Sequence, residues 1–162
     1  MNIGIDFDRV VFDTDRFNQY LKDETGLYHV DEYLYDENGC YSPKKHAEAC
    51  GIETEEIYNA MDNLNRFLYD DVDKLRDLKP EHNLVLVTRG QEKFQKQKIK
   101  ASGIQRLFDR LTVVQGASKD IVNIDYLVDD RKDEIEAADI PGMVFKREEN
   151  TISDLIQEIG DT

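Results

Sequence analysis

Five short apolar runs fix most of what this chain can become: "IGIDF" at 3–7, "LVLV" at 84–87, "LTVV" at 111–114, "YLV" at 126–128 and "MVF" at 143–145. They are too short for helices and rich in branched side chains, and they lack the polar alternation of a half-exposed strand. Such runs read as strands buried on both faces. Between them lie helical patterns at 92–102, 118–123, 131–138 and 152–159, the first stopping before Gly103. Strand alternating with helix predicts an α/β fold, a Rossmann-like three-layer sandwich around a central parallel sheet with right-handed crossovers.

One interval breaks the rhythm. Roughly 70 residues separate the first two runs, far more than a crossover requires. They read as helices at 16–24, 43–50 and 53–78, the last interrupted near Asp70 and Asp71. Pro43 and Thr54 look like helix starts, Gly26 and Gly51 like stops. Aromatic residues recur here (Tyr20, Tyr28, Tyr33, Tyr35, Tyr41, Tyr58, Phe67 and Tyr69), and most should pack a small helical lobe, with one or two facing a ligand. The expected organisation is an α/β core from 1–14 and 79–162 with a helical cap, 15–78, inserted after the first strand.

With 162 residues, 40% hydrophobic and 35% charged, the chain suits one domain with an insertion and a core that needs no staples. A net charge of −14 without a basic stripe argues against binding a nucleic acid polymer. The densest basic cluster, "KFQKQKIK" at 93–100, reads as a solvated helix face. No run approaches the ~18–20 apolar residues of a membrane span, and no signal-peptide pattern opens the chain, so a cytoplasmic location is expected. Cys40, His46 and Cys50 raise the question of zinc. Their spacing lacks a C-x-x-C clamp and a fourth ligand would have to come from His29, so ordinary reduced thiols are expected.

In an open parallel sheet, ligands gather at the carboxyl ends of the strands. Those ends carry Asp6 and Asp8, then Thr88, Arg89 and Gly90, then Asp129 and Asp130, while Lys119 opens the helix before the fourth run. Converging carboxylates are costly to desolvate unless something neutralises them. A hard divalent cation such as Mg²⁺ does so with few carboxylates, waters and phosphate oxygens. That favours phosphoryl chemistry: one carboxylate attacks phosphorus, a second protonates the leaving oxygen, and a hydroxyl and a lysine hold the transferring group.

"IDFDRVVFDT", "LVLVTRG", Lys119 and "DYLVDDRKDEIEAA" resemble, in this order, the four motifs of the haloacid dehalogenase (HAD) superfamily. "VDDRKDEIEAADIPGM" also reads onto that family's G-D-x-x-x-D-I-x-A-A-x-x-x-G-M pattern, with Asp129 in the Gly position, Asp130 as the metal-binding acid and Glu134 in the later Asp position. The resemblance implies Asp6 as nucleophile and Mg²⁺ ligand. It implies Asp8 as general acid/base with its backbone carbonyl on the metal, Thr88 and Lys119 on the phosphoryl group, and Asp130, or as second choice Asp129, on the metal. The insertion is similar to the helical type-1 cap. The short interval between Lys119 and the acidic pair is similar to the 5'(3')-deoxyribonucleotidase branch.

By this resemblance the chain is expected to be a Mg²⁺-dependent phosphatase that acts on a small phosphorylated metabolite through an aspartyl-phosphate. Nucleoside monophosphates rank first as substrates and phosphosugars or other metabolites are the alternative. Asp8 argues against dehalogenase and transport-ATPase roles. A receiver domain would place the acidic pair first and the lysine last, which is not the order here. A catalytically weak module that binds a phosphorylated ligand is the alternative of another class. Arg9 stands where the family often has Gly; it and Arg89 read either as substrate-anion contacts, with Gly90 beside them, or as structural ion pairs, and Arg9 also as an obstruction.

Overall fold

The computed structural model describes residues 1–27, 32–116, 118–119 and 123–162. All five apolar runs are strands: β1 (Asn2–Ile5), β2 (Asn83–Arg89), β3 (Arg110–Val114), β4 (Tyr126–Asp129) and β5 (Gly142–Val144). They form one sheet in the order β3-β2-β1-β4-β5, every pair parallel. The helices are α1 (Thr14–Thr25), α2 (Pro43–Cys50), α3 (Thr54–Asn59), α4 (Glu92–Ser102), α5 (Lys132–Ala138) and α6 (Ile152–Gly160). Among the described residues none is long and apolar enough to cross a membrane. The helix expected over 118–123 lies partly outside the described residues, as do Tyr28 and His29.

Burial on both faces explains the unbroken apolar runs. Ile3, Ile5, Leu84, Leu86, Tyr126 and Val128 enter one large cluster, while Val85, Val87, Val114 and Leu127 enter a smaller one with Ile124 and Ala138. Gly4 is required by close approach, since a Cβ there would lie 2.6 Å from Ile124 Cδ1. α4 crosses from β2 to β3 and α5 from β4 to β5, as parallel pairing demands.

The insertion differs from its predicted form in one place. Pro43 does open α2 after the Ser42 cap, and Gly26 and Gly51 end α1 and α2 in left-handed conformation, but the long helix over 53–78 does not form. α3 stops at Ala60, and 3-10 turns follow at Leu64–Phe67 and Val72–Leu78. The cause is lateral pairing: Asp13 donates to the Phe67 carbonyl at 2.7 Å and Tyr69 to the Val11 carbonyl at 3.1 Å, so this stretch spends its backbone bonds on the loop after β1.

Packing ties the insertion to the sheet. Phe17, Leu21, Ala47, Ile57, Met61, Leu64 and Phe67 belong to the same buried cluster as Ile3, Ile5 and Leu86. A chain of rings joins them, Phe7 to Phe12 (4.7 Å), Phe12 to Phe17 (5.4 Å) and Phe17 to Phe67 (5.8 Å). Arg147, just beyond β5, closes the assembly from the far side. Its Nε donates to the Val10 carbonyl at 2.9 Å, its Nη1 donates to Asp71 Oδ2 at 2.9 Å, and its guanidinium lies 4.1 Å from the Tyr69 ring centre.

Candidate active site

The site begins where β1 runs out. Asp6 still donates its N–H to the Val128 carbonyl, but the Phe7 carbonyl accepts from both Val11 and Phe12, folding the chain back in a tight turn. Arg9 occupies that turn with φ of +66°, a left-handed conformation that costs a non-glycine residue about 1 kcal/mol. A glycine at this position would not carry that cost. The Arg9 guanidinium pairs with Asp15 at 3.0 Å on the exposed rim of the cleft, which Arg9 also lines.

Lys119 is the centre of the carboxylate cluster. Its ammonium lies 2.9 Å from Asp6 Oδ1, 2.6 Å from Asp129 Oδ2 and 3.5 Å from Glu134 Oε2, and Lys119, Asp6 and Asp129 are all buried. Burial pushes the Asp6 carboxyl well above the ordinary range against the pull of Lys119, and Asp129 is raised in the same way. Burial works against the Lys119 ammonium, yet Asp6 and Asp129 hold its pKa above normal. Arg89 is committed nearby, forking onto both oxygens of Glu134 at 2.9 to 3.2 Å.

Asp6, Asp129 and Asp130 each offer a carboxylate oxygen within 4.8 Å of the others. Three acids around one ammonium leave a surplus of negative charge, and an all-oxygen donor set suits a hard cation such as Mg²⁺. Both members of the acidic pair, Asp130 and Asp129, stand in this group with Asp6. The Asp8 carboxylate is not part of it. Among the described residues Cys40, His46 and Cys50 form no such group; both cysteines are free thiols, and the His46 ring nitrogens meet Thr25 Oγ1 and the Tyr41 hydroxyl.

Asp8 turns instead toward α4. Its Oδ1 accepts from Lys98 Nζ at 2.7 Å and from the Thr14 hydroxyl at 2.8 Å, and its Oδ2 from Gln95 Nε2 at 3.0 Å. Burial would raise the Asp8 carboxyl, but Lys98 and these hydrogen bonds bring it below the ordinary value. The same Gln95 nitrogen donates to Thr88 Oγ1 at 2.6 Å. Gly90, with φ of +154°, makes room for this side chain, because a Cβ at that position would stand 2.7 Å from Gln95 Cγ; its N–H goes to the Val114 carbonyl.

The cluster 93–100 is therefore not a uniformly solvated face. Lys93, Lys96 and Lys100 are exposed, whereas Gln95 and Lys98 are buried with Phe94 and Ile99. The signal was present in the sequence. At helical spacing, Gln95 and Lys98 fall on the same stripe as Phe94, Ile99 and Ser102, and a polar residue inside an apolar stripe needs a buried partner.

Asp6, Asp8, Gln95, Lys98, Lys119 and Asp129 line a cleft of about 440 Å³ that continues from the strand ends into the insertion, where Leu34, Tyr35, Cys40, Tyr41 and His46 also line it. Gln91, on the loop after β2, donates to Asp36 Oδ2 at 2.9 Å and so links the two sides.

No family model matches the chain, and no curated protein does. Solved structures match over most of its length. A haloacid dehalogenase-like family hydrolase from Xanthomonas campestris superposes with a TM-score of 0.58 at 15% identity, covering 90% of this chain and 82% of that one. The HAD-hydrolase YfnB from Bacillus subtilis, bound to magnesium, gives 0.61 at 12% identity, covering 96% and 98%. A HAD family enzyme from Bacteroides thetaiotaomicron, in complex with magnesium and inorganic phosphate, gives 0.55 at 15% identity, covering 95% and 97%.

Proposed function

Proceeding from a HAD-like α/β fold, we propose that this protein is a Mg²⁺-dependent phosphatase that hydrolyses a small phosphomonoester through an aspartyl-phosphate on Asp6, with 15–78 serving as its cap. The observation that carries the reading is the convergence at one sheet edge of Asp6, Lys119, Asp129 and Asp130, with Asp8 lining the same cleft and Thr88 buried behind it against Gln95.

In the first step an Asp6 oxygen attacks phosphorus while the bond from phosphorus to the leaving oxygen breaks. Asp8, a carboxylate in the free protein, takes up a proton when the anionic phosphate enters beside it, gives that proton to the leaving oxygen, and the substrate leaves as an alcohol. In the second step Asp8, now a carboxylate, takes a proton from a water whose oxygen attacks phosphorus. The bond to Asp6 breaks, releasing inorganic phosphate and restoring both acids. Lys119 and the Thr88 hydroxyl hold the phosphoryl oxygens as charge shifts. Asp6, Asp129 and Asp130 would hold Mg²⁺, which supplies neutralising charge for the carboxylates and the phosphoryl group.

Among phosphomonoesters the reading favours nucleoside monophosphates. The cleft is large enough for a nucleoside, and Tyr35 and Tyr41 give its walls flat faces that a base would stack on. Phosphosugars are the competing class. Turnover of a phosphomonoester panel with Mg²⁺ tests both claims. Asp6→Asn is expected to fall to background, and activity surviving that substitution overturns the covalent mechanism. Preference for phosphosugars over nucleotides overturns the substrate class alone.

A further inference from the structure

Lys98 is a buried cation for which neither the motifs nor the mechanism above has any use. Its side chain is only 5% exposed, and its ammonium is ringed by Phe7, Phe12, Phe17 and Phe94 at 5.0 to 5.7 Å from the ring centres. Asp8, at 2.7 Å, is its carboxylate partner. Taking an ammonium out of water is costly unless it is paired, and aromatic faces recover only part of that cost. Phe7 and Phe12 come from the loop that carries Asp8, Phe17 from α1 and Phe94 from α4 itself. The cage therefore closes only when that loop sits where it does.

Gln95 divides its amide nitrogen between Asp8 Oδ2 and Thr88 Oγ1. The Thr88 oxygen, by accepting this bond, keeps its own hydroxyl hydrogen for a phosphoryl oxygen. The two Asp8 oxygens are also unequal: among the described residues Oδ1 has two donors, Lys98 and Thr14, while Oδ2 has one, Gln95. Oδ2 is thus the oxygen with capacity left for a leaving group.

We propose that Lys98 and Gln95 are positioning residues of the phosphatase reaction. Lys98 pins Asp8 through Oδ1 so that Oδ2 meets the leaving oxygen, and Gln95 sets the span between Asp8 and Thr88. This rests on the phosphatase reading. Neither residue needs to touch substrate. Their effect passes through Asp8 and Thr88, and for Lys98 that gives a signature which loss of packing does not.

Asp8 matters most for esters whose leaving oxygen needs a proton. An alkyl phosphate needs one; p-nitrophenyl phosphate, which releases a stabilised phenolate, does not. In Lys98→Met, kcat/KM for an alkyl phosphate is expected to fall by about 100-fold or more, within the usual range for general acid catalysis, and that for p-nitrophenyl phosphate by less than about tenfold. Asp8→Asn should show the same split, with no further loss when Lys98→Met is added to it. Lys98→Arg, which keeps the charge, should recover part of the alkyl activity. Thr14→Val, which removes a donor to Oδ1 without touching α4, should repeat the split more weakly and guards against a folding defect in the lysine variants. Equal losses on both esters, or additivity with Asp8→Asn, overturn the positioning role while leaving the phosphatase reading intact. A wild-type protein inactive on every ester overturns both.

Discussion

Two buried lysines sit within one cleft and solve opposite problems. Lys119 faces Asp6, Asp129 and Glu134 in a cluster that still carries excess negative charge, whereas Lys98 faces Asp8 and four aromatic rings in a balanced pocket. A centre with surplus charge is incomplete and calls for a cation from solution. A balanced one is finished by folding. The difference separates the part of the site that should respond to metal from the part that should not.

The largest expected effect comes from breaking the first centre. Lys119→Met leaves buried carboxylates uncompensated and should cost about 3–5 kcal/mol in urea denaturation without metal. Mg²⁺ should return some of this, as any ligand of the folded state does, and Asp130→Asn should weaken that rescue. Lys98→Met should cost less, about 1–3 kcal/mol, since Asp8 keeps Thr14 and Gln95 as donors, and Mg²⁺ should not change that cost. Equal rescue of both variants by Mg²⁺ would erase the contrast.

Acid titration sharpens it further. Asp6 has its pKa raised above 3.8 by burial, so it makes the metal-free fold less stable as pH rises from about that value through the folded pKa. Asp8 has its pKa lowered: burial raises it, but Lys98 and the hydrogen bonds from Lys98, Gln95 and Thr14 together bring it down. Its contribution is complete above 3.8 and is lost as pH falls through the folded pKa. Thermal melts across pH should therefore show Asp6→Asn flattening the loss on the rising side and Asp8→Asn flattening it on the acid side. The smallest effect belongs to the rim. Arg9→Gly relieves a left-handed conformation and gives up an exposed ion pair, for a net gain of about 1 kcal/mol or less in the same melts.

The acids of both centres were legible in the sequence, but Asp8's partners in the second were not. Asp6, Thr88 and Asp129 end or directly follow apolar runs, so strand order alone brings them to one edge. Lys119 is recognisable from its place in the order of motifs. Gln95 and Lys98 carry no such marker, because they lie among exposed lysines and only their helical phase betrays them. The shortened α3 was hidden for a different reason. Local propensity at 60–78 favours helix, and the competing bonds come from residues 11 and 13, remote in sequence and joined only by folding.

Arg147 adds a matter of timing. The acids of the first motif are synthesised before β2 to β5, yet the residue that grips the Val10 carbonyl and Asp71 together follows β5. A nascent chain therefore carries Asp6 and Asp8 well before their loop is held from this side, and that hold arrives only once β5 has been made.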